Sequence, residues 1–300
     1  MTRDTSDRKW SVVSRIEKNL FLDNTCKIVK MDFTAFVPTT TGEHLFQVFI
    51  RDFFGSSTFS QLQASPLLRI GGRTDEMTEY FIGLSALNLV ARILKKAQRV
   101  RSDEKEEYHQ TTVVAYIQRS LGIPLVSGSD SVDRLASLAL KAAADSKKAI
   151  NDAVKSIVLN GRKETSCYIC GTLLLKKNDS LPENRIEYEH LWPSSFGGNS
   201  VAENLLPACG YCNRAKGHMM LWQSSHISSF VLKPSPSEEE WKMIQRSEKI
   251  AKYAQTIFRS ACHNKTSLKD AALFIGPVSL SSIYAADEDD AIDFFNFEFR

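Results

Sequence analysis

Two Cys-x-x-Cys pairs, Cys167-Tyr-Ile-Cys170 and Cys209-Gly-Tyr-Cys212, limit what this chain can fold into more than any other feature of its sequence. The opening residues Met1–Trp10 are too polar for the apolar core of a secretion signal, so paired cysteines read as metal ligands before disulfides. Four thiolates complete a tetrahedral zinc shell with Zn–S bonds of about 2.3 Å and leave no position for substrate or water. Such a zinc braces a fold and performs no chemistry. Residues 171–208 separate the pairs, more than a compact zinc ribbon needs but suitable for two knuckles bracketing a hairpin. Cys26 and Cys262 stand alone and read as ordinary buried thiols.

The rest of the chain has an ordinary globular balance, 43% hydrophobic and 24% charged. The most apolar run, Phe81–Leu94, is broken by Asn88 and Arg92 and is too short to span a bilayer, so the expectation is a cytoplasmic protein without a membrane anchor. A net charge of +3 over 300 residues does not by itself single out a nucleic-acid partner. That length fits two or three units. The breaks divide the chain into an N-terminal helical region (1–126), a linker with a long helix (127–162), a cysteine-rich unit (163–225) and a C-terminal helical region (226–300).

Periodicity places a strand or two between Lys27 and Val37, a short core helix over Glu43–Phe54, and a longer one from Thr74 or Asp75 to about Val100. On the latter, Arg92, Lys95, Lys96 and Arg99 form a basic stripe that reads first as a solvated face and second as a phosphate contact. Leu135 to Val158 reads as one uninterrupted helix stopped by Asn160-Gly161, and Trp241 to Ala261 as an amphipathic helix with Trp241 in its packing face. The acidic run Asp287–Asp290 and the aromatic Phe294–Arg300 read as an edge strand or docked tail, or alternatively as an acidic lid.

Between the cysteine pairs lies Tyr188-Glu-His-Leu-Trp-Pro-Ser-Ser-Phe-Gly-Gly198, followed by Asn204-Leu-Leu-Pro-Ala-Cys-Gly-Tyr-Cys-Asn-Arg-Ala-Lys-Gly217. In this order the residues resemble the HNH endonuclease superfamily: acidic-His, then Pro-x-Ser-x-Gly-Gly, then Asn-Leu, then Cys-x-x-Cys with a following Asn and Lys. The resemblance implies an α+β, mainly helical chain in which a treble-clef-like ββα-metal nuclease core is embedded between helical flanks. It also implies a DNA endonuclease acting on duplex DNA with one divalent ion. His190 would be the general base, Glu189 and Asn213 would hold Mg2+ or Mn2+, Asn204 would tie the histidine loop, and Lys216 would contact a phosphate. A single lysine at that place is nearly as well read as an exposed side chain without special duty. Glu189 stands where the family commonly has Asp, and Asn213 where it commonly has His. His218, five residues along a helix from Asn213, is turned about 140° from it and is expected to face elsewhere.

The residue chemistry agrees with those roles. Hydrolysis of a phosphodiester needs a water deprotonated on one side of phosphorus, and an imidazole with pKa of about 6.5 accepts a proton near neutrality. Hard oxygen ligands suit a divalent ion that keeps several waters. A restriction or anti-phage effector, regulated by a protein partner, is the context that fits such flanks by analogy alone. The reading from a different class is a catalytically silent, zinc-stabilised module for binding nucleic acid or for assembly.

Overall fold

A capping box opens α1 (Thr41–Phe53), the first helix among the described residues. The Thr40 hydroxyl accepts the Glu43 backbone N–H at 3.1 Å, and the Glu43 carboxylate takes the backbone N–H groups of Thr39 and Thr40 at 2.7 and 2.6 Å. The computed structural model describes residues 34–53, 74–122, 130–160, 164–175, 184–219 and 237–278. All of them belong to the unit Asp32–Arg300.

Helices α2 (Thr74–Asp103), α3 (Glu106–Ala115) and α4 (Asp130–Asp145) follow, with a π-helical turn at Tyr116–Ser120 after α3. Leu45, Phe46 and Phe49 of α1, Ile93, Ala97 and Val100 of α2, and Leu135, Ala139 and Ala142 of α4 are fully or almost fully buried, as their three- and four-residue spacing requires. Arg92, Lys95 and Arg99 lie exposed on the opposite face of α2, and Lys96 sits 3.9 Å from Glu104. The stripe is thus open to solvent, as either reading of it requires. Residues 34–37 form no strand, and 27–33 lie outside the described residues.

The long helix expected from Leu135 to Val158 is instead two. The chain leaves helical geometry after Asp145 and re-enters it at α5 (Asp152–Leu159), where the Asn151 side chain caps the Val154 N–H at 2.9 Å. Ser146-Lys147-Lys148 offers no apolar face to bury, and Asp145 turns aside to accept from the Thr41 hydroxyl at 2.9 Å and Lys148 Nζ at 2.8 Å. Local capping therefore overrides a periodicity that no Pro or Gly interrupts. Asn160 does stop α5, in the left-handed region at φ 48°.

Two small antiparallel sheets complete the α+β architecture among the described residues. One pairs β1 (Glu164–Ser166) with β2 (Leu173–Leu175); the other pairs β3 (Ile186–His190) with β4 (Leu205–Cys209) in the register Glu187↔Ala208, Glu189↔Leu206, His190↔Leu205. Strand β4 runs into a short helix, α6 (Gly210–Lys216), against which the long α7 (Glu238–Asn264) packs before α8 (Leu268–Ile275). The side chain of Trp241 in α7 lies outside the described residues, whereas Ala251, Ile257, Phe258 and Ala261 are buried as its period requires. Cys262 is buried, and Cys26 lies outside the described residues.

The centre of the core is Trp192, which follows β3 and is wholly buried. Phe36 stacks on it at 6.4 Å, Phe46 of α1 meets it edge-on at 5.4 Å, and Phe258 of α7 closes on Phe36 at 5.6 Å. Residues from both ends of the chain thus seat the loop that follows His190. Among the described residues no helix is long and apolar enough to cross a membrane.

Candidate metal centre and adjoining site

The first cysteine knuckle is a tight turn after β1. Cys167 N donates to Thr172 O and Gly171 N to Cys167 O, both at 2.9 Å, with Gly171 at φ 76°. The second knuckle is the start of α6, where Cys209 is the N-cap and its sulfur accepts from Cys212 N at 3.4 Å. The four sulfurs lie within 4.8 Å of one another, and Cys170 Sγ is 3.8 Å from Cys209 Sγ. A tetrahedron with 2.3 Å bonds has edges of about 3.8 Å. The expected ligands therefore converge on a structural metal site with the donors and spacing that zinc takes. Hydrogen bonds shared with Cys167 hold Cys170 and Cys209 below the ordinary thiol range, Cys209 at about 6, while Cys167 and Cys212 are pushed up. Arg246 of α7 sets a guanidinium nitrogen 3.8 Å from Cys212 Sγ.

Immediately beside this centre, β3 presents Glu187 and Glu189, two residues apart and so on one face, to α6. The three-residue step between Asn213 and Lys216 points both side chains at that strand. Asn213 Nδ2 donates to Glu187 Oε2 at 2.6 Å. Lys216 Nζ donates to Glu189 Oε1 at 2.6 Å and to the His190 carbonyl at 2.8 Å. The Glu189 and Lys216 side chains are only 6% and 5% exposed, so this is a buried ion pair, and Lys216 is not a solvent-exposed lysine. Burial raises the Glu189 carboxyl above its ordinary value, and the charge and hydrogen bond of Lys216 oppose that rise. Glu189 and Asn213, both expected as ligands of a catalytic ion, thus line the same strand–helix seam with different partners.

His190 ends β3. Its Nε2 lies 3.1 Å from Ser200 Oγ, and the Ser200 hydroxyl donates to the Lys148 carbonyl, between α4 and α5, at 2.6 Å. Partial burial lowers the imidazole pKa, and the nearby Lys216 charge lowers it further, so the ring is neutral over a wider range than an exposed histidine.

Asn204 fixes the loop that follows His190. Its Oδ1 accepts from Trp192 N at 2.7 Å, and its Nδ2 donates to Trp192 O at 2.9 Å and Asn199 O at 3.0 Å. A Cβ on Gly198 would lie 1.8 Å from Trp192 O, so the loop closes this tightly only with glycine there. Helix α1 docks on the same loop, with Gly42 N donating to Gly197 O and Thr41 N to Asn199 Oδ1, both at 3.0 Å.

His218 is exposed, yet close enough to Glu189 for its charge to act on that carboxyl. Sequence reasoning passed over Glu187 and Ser200. The alternation of β3 was a signal for Glu187, because any strand that directs Glu189 to a site directs Glu187 there too. No signal existed for Ser200, whose partner Lys148 is distant in sequence. The acidic and aromatic tail, 279–300, lies outside the described residues. Compared with known proteins, the chain matches no family model, no curated protein and no solved structure.

Proposed function

We propose that this chain is a metal-dependent DNA endonuclease of the HNH type, with β3, β4 and α6 as its ββα-metal core and a zinc held by Cys167, Cys170, Cys209 and Cys212 as its brace. The observation that carries the reading is the position of His190: a half-buried imidazole at the end of β3, the strand whose Glu187 and Glu189 meet Asn213 and Lys216 of α6, with burial and the Lys216 charge lowering the pKa of the ring. Pure binding calls for no such base.

In this reading His190 takes the proton of the attacking water. Asn213 and the β3 carboxylates Glu189 and Glu187 form a set of hard oxygen donors that fits Mg2+ or Mn2+. Such an ion supplies charge neutralisation at the phosphate and the leaving oxygen. Lys216 keeps Glu189 in place and ties the end of β3 through the His190 carbonyl. The proposed substrate is duplex DNA, read chiefly through its phosphates, in a cytoplasmic setting of defence or restriction under a protein partner.

One observation favours the second reading, a silent zinc-stabilised binding module: Glu189 is already satisfied by Lys216, and Asn213 by Glu187. Cleavage of supercoiled plasmid with and without Mg2+ or Mn2+, by wild type and His190→Ala with zinc content measured in both, separates the two. Metal-dependent nicking lost in the variant with zinc retained supports the nuclease. A folded, zinc-loaded wild type that does not cleave supports the module.

A further inference from the structure

We propose that Ser200 is the positioning residue of His190, holding the imidazole with its hydrogen on Nε2 and leaving Nδ1 as the nitrogen that accepts a proton. The argument counts hydrogens. A serine hydroxyl has one proton to give, and a backbone carbonyl has none. Two oxygens 2.6 Å apart, as Ser200 Oγ and Lys148 O are, need a proton between them, and only Ser200 can supply it. With that proton committed, Ser200 meets His190 Nε2 at 3.1 Å as an acceptor, and the hydrogen in that contact belongs to the ring. Nδ1 has no hydrogen-bond partner among the described residues and so keeps its lone pair.

A hydroxyl beside a histidine often does no more than satisfy it. The difference here is direction. Because the carbonyl of Lys148 cannot change role, Ser200 cannot reverse, and the tether selects one tautomer and one ring orientation. Lys148 lies in the break between α4 and α5, so the helical part of the fold holds the orientation of a side chain at the end of β3. That a second partner on the far ring nitrogen sets which nitrogen is reactive is general histidine chemistry. Its consequence for catalysis rests on the nuclease reading given above, but the tautomer itself does not.

The test uses the full, zinc-loaded chain with 15N-labelled histidine, at a pH where the ring is neutral, with the His190 signals assigned by their loss in His190→Ala. The expected result is hydrogen on Nε2 and a bare Nδ1. Plasmid cleavage by Ser200→Ala should then show kcat about 5- to 10-fold lower with KM unchanged, the population shift that one lost hydrogen bond gives. Ser200→Thr, which keeps a single hydroxyl proton, should restore kcat. Hydrogen on Nδ1 in the wild type overturns the proposal, and so does a zinc-loaded Ser200→Ala with wild-type kcat. If Ser200→Ala does not fold, the wild-type tautomer and the Ser200→Thr rate decide. A wild type that has its hydrogen on Nε2 but cleaves nothing supports the tether and removes the nuclease reading alone.

Discussion

Gly42→Ala sets two effects of opposite sign against each other. Replacing a helical glycine by alanine ordinarily stabilises by about 0.5–1 kcal/mol. At this position the added Cβ would lie 2.4 Å from Phe196 O, 2.6 Å from Trp192 Nε1 and 2.7 Å from Gly197 C. Two of those atoms are backbone, and the third belongs to a wholly buried side chain that itself donates to Phe196 O at 3.0 Å. None can give way cheaply, so α1 must back off from the loop. Overpacking of this kind costs roughly 1–3 kcal/mol. Stretching the bond from Gly42 N to Gly197 O adds about 1–3 kcal/mol where the polar groups stay buried. The net expectation is a loss of roughly 1–5 kcal/mol, which for a chain of this size lowers Tm by roughly 2–20 °C. Urea and thermal unfolding of wild type and variant measure it, with Gly122→Ala as the comparison. Gly122 has φ +60° and nothing within 4 Å of its added Cβ, so it carries only backbone strain of about 1–2 kcal/mol. A Gly42→Ala protein as stable as wild type would refute the docking of α1 on the Gly197 loop.

Asn204→Ala leaves the Trp192 N–H and C=O without their side-chain partner, which should cost about 2–5 kcal/mol in urea unfolding. Cys209→Ser, or treatment of the wild type with a strong chelator, should abolish a stoichiometry of one zinc per chain measured by metal analysis, with a larger loss of stability than any single uncharged substitution. Burial raises the Glu43 carboxyl above its ordinary 4.5 despite the hydrogen bonds from Thr39 and Thr40. The native state therefore holds this proton more tightly than the unfolded one, so Glu43 favours folding most below pH 4.5 and less as pH rises through its raised pKa; Glu43→Gln should flatten that part of the stability profile. Arg214 and Arg246 both lie 5.4 Å from the centre of the Tyr211 ring, with no carboxylate partner for either guanidinium among the described residues. If Arg214 meets a DNA phosphate, Arg214→Gln should reduce the slope of log affinity against log salt by about 0.9, and an unchanged slope would exclude that contact.

What the sequence made legible was whatever is local or fixed by coordination. The four cysteines could be joined on paper because a tetrahedral shell demands them whatever the fold between. The helices α1, α2 and α7 were visible because their apolar positions repeat within a few turns. The break between α4 and α5 was not, since it arises from an Asp145 contact to Thr41 about a hundred residues earlier. The burial of Lys216, expected as a phosphate contact or else as an exposed lysine, was hidden for a similar reason: it comes from Glu189 across the seam and from α7 behind it. Glu187 could have been found from strand alternation alone. Ser200 and the α1 contact through Gly42 depend on pairings that periodicity does not encode.

The seat of Trp192 also bears on the order in which the protein can be made. During synthesis Phe36 and Phe46 emerge some 150 residues before the indole they will enclose, and Phe258 some 60 residues after it. Until α7 leaves the ribosome, Phe36, which stacks on Trp192, lacks the Phe258 ring that backs it. A nascent chain therefore carries its zinc ligands before the core around Trp192 is complete. For the same reason, a fragment cut at residues 163–225 would leave the indole in water, and would bind metal without holding the rest of the site.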